Sequence, residues 1–215
     1  AKTGIAGVYS FQANSYLELW QHQRQLNPDY VPSPQQYEQV QQQHQQILSL
    51  IPYNGDYWTA YADMQLWHLA NTPNITPTQQ KQLKEDILSA YDTAIKQRPT
   101  WPYAYMNFAI IKARFGEIDD NFKNAVQKAN HLGTWEADVI HPTIELGLAL
   151  WSQLDAKTQQ VVASAVERSI TWKVSESQNQ KEKIFALSLV GFHQKQVEIC
   201  ALMSNQGQKA TNICS

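Results

Sequence analysis

Glu136, Asp138 and Glu145 lie close together in this chain. Paired carboxylates are what glycoside cleavage needs, one to protonate the leaving oxygen and one to act as base or nucleophile. Sequence spacing sets no two of them across a cleft, and any helical protein of this size carries such groups. Asp119-Asp120 opens a helix and reads as capping charge. The six histidines, His22, His44, His68, His131, His141 and His193, are scattered. His44 falls on an apolar helix stripe, as a core or interface histidine does. His131 and His141 have no spacing that would bring both to one ion, so neither a metal nor a cofactor is expected. The chain has no phosphate-binding loop, dinucleotide fingerprint, nucleophile elbow or zinc motif. These residues predict no enzyme.

Ring-bearing side chains offer a different chemistry. Tyr57, Trp58, Trp101, Tyr103, Tyr105 and Trp135 cluster where helices begin. Aromatic faces stack on sugar rings or peptides, and their polar edges bond to water or ligand. The competing reading is that they wedge between neighbouring helix pairs and belong to the core. Trp101, Tyr105 and Trp135 are the candidate binding surface, with Asp56 and Lys112 as polar contacts. The two cysteines, Cys200 and Cys214, can close a loop of about 15 residues in an oxidising compartment, worth ~3 kcal/mol on the chain-entropy account. The alternative is two free, partly buried thiols.

The elements that must position these groups repeat. Tyr91-Asp92-Thr93-Ala94-Ile95 and Phe122-Lys123-Asn124-Ala125-Val126 share an aromatic-x-x-Ala-aliphatic pattern. Tyr57-Trp58, Trp101 to Tyr105 and Trp135 each open an apolar stripe. Paired helices repeating at about 34 residues are the signature of tetratricopeptide-like arrays. The expected fold is all-α: antiparallel helix hairpins wound as a right-handed superhelix. Ala94 and Ala125 should then lie where helices approach closely.

Residues 1–215 read as a single helical-repeat domain. Residues 1–7 are expected to be disordered or a cloning remnant. An N-terminal helix pair follows over 8–51, then three hairpins over 56–173, and a C-terminal helical cap over 177–203, with a break at Gly191. The first helix should place Phe11, Tyr16, Leu17 and Trp20 on one side. Ser33-Pro34-Gln35-Gln36 and Thr76-Pro77-Thr78-Gln79 each read as a capping box with proline in the first turn. Asp56 is placed to cap the helix that carries Trp58, Tyr61, Ala62, Leu66 and Leu69.

Charged residues make up only 17% of the chain, and glutamine fills the gap, densest from Gln35 to Gln46. A net charge of −2 gives no basic footprint for nucleic acid. No run of 18 apolar residues is present to span a membrane. The start, Ala1-Lys2-Thr3-Gly4, fits a cleaved signal peptide, a deleted membrane anchor or a cloning remnant.

Arg98-Pro99-Thr100-Trp101-Pro102-Tyr103, Gly133-Thr134-Trp135 and Gly147-Leu148-Ala149-Leu150-Trp151 resemble the VpsP family of bacterial exopolysaccharide biosynthesis proteins. The similarity takes in Tyr16-Leu17-Glu18-Leu19-Trp20 and Tyr57-Trp58, and so runs from about Val8 to Ile170. It implies a periplasmic helical domain, joined to the inner membrane through an N-terminal helix absent from this chain. The implied partners are envelope polysaccharide-assembly proteins or a glycan. The implied role is an accessory or scaffold in biofilm-type exopolysaccharide assembly or export, with no catalytic residue to carry over. Two alternatives stand beside it, a carbohydrate-active hydrolase or lyase of the same pathway and a protein-scaffolding adaptor unrelated to glycans.

Overall fold

The computed structural model describes residues 2–171, 175–209, 211 and 213–214, and all regular structure among them is helical. Residues 1 and 173, termini of two segments expected above, lie outside that set. The chain divides into two compact units, Ala1–Pro99 and Thr100–Ser215, where a single domain was expected.

The first unit holds α1 (Lys2–Leu26), α2 (Pro34–Leu50), α3 (Gly55–Asn71) and α4 (Pro77–Gln97). Short connections pair α1 with α2 and α3 with α4. Local chemistry sets the helix starts. The Ser33 and Thr76 hydroxyls accept the Gln36 and Gln79 N–H groups, and those glutamines reach back to the cap N–H, as both sequence signatures predict. The cap of α3 is Asn54, not Asp56: the Asn54 side chain accepts the Asp56 N–H at 2.9 Å. Helix α1 already begins at Lys2, so residues expected to be disordered are helical. Its buried line is Ala6, Ala13 and Trp20, with Tyr16 and Leu17 packed beside it. Phe11, expected on that side, is 75% exposed. At 3.6 residues per turn it points about 200° away from Ala13. On α3 the buried residues are Ala62, Met64 and Gln65, whereas Trp58, Tyr61, Leu66 and Leu69 of the expected stripe are only half-buried.

The second unit holds α5 (Pro102–Arg114), α6 (Asp120–Leu132), α7 (Ala137–Ala149), a 3-10 turn (Trp151–Gln153), α8 (Ala156–Thr171), α9 (Glu176–Phe192), α10 (Gln196–Leu202) and α11 (Asn205–Lys209). Its core runs from Ala109, Phe122 and Val126 through Ile140, Ile144 and Leu148 to Val162, Val166, Val190 and Ile199. Gly147 lets α7 meet α8: an added Cβ would lie 2.8 Å from Val162 Cγ1. Ala94 in the first unit and Ala125 in the second, both expected at close approaches, are buried. The C-terminal region has more helix than expected. The turn after α9 leads into α10, and the tail folds as α11 against α8. There the Glu167 carboxylate accepts the Ser204 N–H at 3.1 Å and its hydroxyl proton.

Candidate functional site

Among the described residues, two places are the strongest candidates for holding a ligand. The first is the junction between the start of α5 and the loop that enters α7. Trp101 caps α5 with extended backbone and no side-chain cap bond, and Pro102 takes the first helical position. Pro102 is buried against Gly133, where a Cβ would come within 2.8 Å of the proline ring. Only glycine permits that approach, which brings the α6–α7 loop onto the start of α5. The Tyr103 hydroxyl then donates to Glu136 Oε2 at 2.5 Å. That hydrogen bond, with the neighbouring carboxylate charge, pushes the phenol up to about 12. Trp101 meets Tyr103 edge-on, with centroids 5.0 Å apart. Trp101 keeps 41% of its surface and Trp135 keeps 56%. The junction is thus fixed by backbone fit and a charged hydrogen bond, and it presents two large indoles to solvent.

The other sequence candidates divide differently. Tyr105 is half-buried against two apolar clusters and serves as packing. Tyr57 packs on Ala6, Ile47 and Ile51, and the Trp58 indole donates to the Pro52 carbonyl at 2.7 Å. Asp56 is exposed in the first unit, ion-paired with Arg98. Lys112 corrects an expectation. Predicted as a polar contact on an open surface, it is 4% exposed. Its ammonium lies 2.7 Å from Glu117 and 3.0 Å from Asp119, tying the end of α5 to the start of α6. Burial works against that charge, but bonds to the two carboxylates outweigh it and hold the amine above its usual pKa.

Of the clustered acids, Glu136 is occupied by Tyr103, while Asp138 and Glu145 are exposed on α7. His141 Nε2 pairs with Glu182 at 2.6 Å, beside the Phe185 ring. Among the described residues, no group of three or more His, Cys, Asp or Glu side chains converges as an ion site. Cys200 and Cys214 are joined in a disulfide, Cα atoms 5.4 Å apart.

The second place is a cleft of about 420 Å³ in the first unit, absent from the sequence expectations. Helix α2 contributes Tyr37 and Gln41, α3 contributes Gln65 and His68, and α4 contributes Gln79, Gln82 and Asp86. The α3–α4 loop closes one end through Thr72 to Ile75, turning at Asn74 with φ 59°. Asparagine tolerates that left-handed backbone better than most residues. The side chains are set before any ligand arrives. Tyr37 and His68 stack with centroids 3.6 Å apart. The Tyr37 hydroxyl donates to Gln65, whose amide donates to the Tyr61 hydroxyl at 2.8 Å. His68 Nδ1 shares a 2.8 Å hydrogen bond with Thr72, and Gln82 donates to Asp86 at 3.0 Å. Burial lowers the His68 imidazole and raises the Tyr37 phenol, so both rings are neutral near pH 7. The dense glutamine run hid this site. Gln41 reads as solvated face on its own helix, and only three-helix packing joins it to Gln65 and Gln82.

No protein-family model matches the chain, and comparison with curated proteins finds no match.

Proposed function

We propose that this chain is an extracytoplasmic accessory protein of bacterial exopolysaccharide assembly or export, acting by holding rather than by catalysis. The resemblance to the VpsP family motivates the pathway. The observation that carries the holding role is the α5–α7 junction, where Trp101 and Trp135 are exposed beside the Tyr103–Glu136 hydrogen bond. The faces of exposed indoles suit sugar C–H surfaces. The hairpins are units of a tetratricopeptide-like right-handed array in this reading, supported by paired neighbouring helices and the buried Ala94 and Ala125. The disulfide supports the periplasm as the compartment. Among the described residues no helix is long and apolar enough to cross a membrane.

The test is a deletion strain complemented with Trp101→Ala or Trp135→Ala, scored for secreted polymer and for protein level. Stacked rings contribute on the order of 1 kcal/mol each beyond burial, so polymer should fall several-fold at normal protein level. Normal polymer in both strains would remove the junction from function. Lost polymer with lost protein would make the indoles structural.

A further inference from the structure

We propose that the cleft between α2, α3 and α4 is a binding site for a neutral saccharide unit. The proposal rests on the glycan reading above, but on a different set of residues. At about 420 Å³ the cleft falls at the lower end of the roughly 300–1,000 Å³ typical of small-molecule sites. That is room for a sugar ring or two.

The lining selects the ligand class. Gln41 and Gln82 bring amides, which donate and accept, and Asp86 adds a carboxylate that only accepts, while Gln65 is engaged by Tyr37 and Tyr61. Vicinal hydroxyls are donor and acceptor at once, and so match such a set. The stacked Tyr37–His68 pair forms an aromatic wall for the apolar face of a ring. No lysine or arginine lines the cleft among the described residues, and His68 is held neutral by burial. With Asp86 as its one carboxylate, the cleft disfavours an acidic sugar or a phosphate. Gln65 already bonds Tyr37 and Tyr61, and Gln82 bonds Asp86, so a purely apolar ligand would leave unused Gln41 and the remaining hydrogen-bonding positions of Gln82 and Asp86. A neutral or N-acetylated sugar matches that lining.

The experiment is titration calorimetry of the whole chain with four tetrasaccharides: cellotetraose, maltotetraose, chitotetraose and the acidic tetragalacturonate. Binding of at least one neutral tetramer is expected, with none or weaker binding of the acidic one. Gln41→Ala/Gln82→Ala should weaken it about tenfold, the loss of one or two hydrogen bonds. Gln79 is left alone because it caps α4. If the double variant melts early, the exposed Gln82→Ala alone serves, with a threefold or greater loss expected. No binding of any neutral tetramer, tighter binding of tetragalacturonate, or affinity indifferent to Gln82→Ala overturns the proposal. Neutral-sugar affinity lost in Trp101→Ala but kept in the cleft variants overturns the cleft and upholds the junction. A polymer defect in the Trp101→Ala strain without binding of any tetramer overturns the cleft and leaves the accessory role standing.

Discussion

His44 is buried on α2, 6.1 Å from Tyr61, and burial alone pushes its imidazole down to about 4. An unfolded histidine titrates near 6.5. The neutral ring therefore contributes stability that is complete above that value and is lost as pH falls through 4. Between pH 7 and 4.5 the loss should be about 2 kcal/mol. The Asp63 carboxyl in the same unit moves the opposite way. Burial raises it despite the Tyr91 hydrogen bond, so its contribution is lost as pH rises. Comparing His44→Gln with the parent by urea unfolding at pH 7 and 4.5 isolates the histidine, and the variant should show the flatter dependence. Lys112 makes a second prediction at this scale. Lys112→Met leaves Glu117 and Asp119 facing each other and should cost about 1–2 kcal/mol, discounted because both carboxylates are partly solvated. Thermal melting of that variant checks it. The place of His44 was legible because its neighbours on the stripe are three and four residues away. Lys112 was misread because its partners lie five and seven residues on, across the turn at Gly116, where helical periodicity stops.

At the scale of elements, the starts of α2 and α4 were readable because a capping box is closed by four consecutive residues. On α1, Tyr16, Leu17 and Trp20 were readable and Phe11 was not, since a helix with apolar residues around much of its circumference buries whichever face its neighbours reach. Phe11 shows the consequence, and so does the half-buried line of α3. Close approaches are the sharpest element-level test. Gly147→Ala would gain helix propensity, yet its Cβ would overlap the Val162 side chain. A net loss of about 1–3 kcal/mol is expected from the overlap. Ala125→Leu should cost a similar amount on α6, where Ala125 is packed into the core of the second unit. Melting temperatures unchanged by both would mean that the helix pairs can slide apart without penalty, contrary to the packing described.

For the molecule as a whole, the helical class follows from stripes and caps that each occupy one stretch of sequence. The division at Pro99 does not, because it depends on which stretches touch. The same holds for the cleft, assembled from Gln41, Gln65 and Gln82 on three helices. The cysteine pair was open to either reading until the tail was seen folded onto α8. Intact-mass measurement should show a gain of two hydrogens on reduction, and reduction should cost on the order of 3 kcal/mol for a loop of this length. The distribution of indoles has an optical consequence. Trp20 and Trp151 are buried, Trp58 and Trp67 are half-covered, and Trp101 and Trp135 are the open ones among the described residues. Of the described indoles, those two should therefore be the ones that iodide quenches, in the red-shifted part of the emission. A ligand at the α5–α7 junction would shield that emission, whereas a sugar in the first-unit cleft, whose lining contains no tryptophan, would leave it unchanged. Emission would thus tell a ligand at the junction from one in the cleft, with no dye attached.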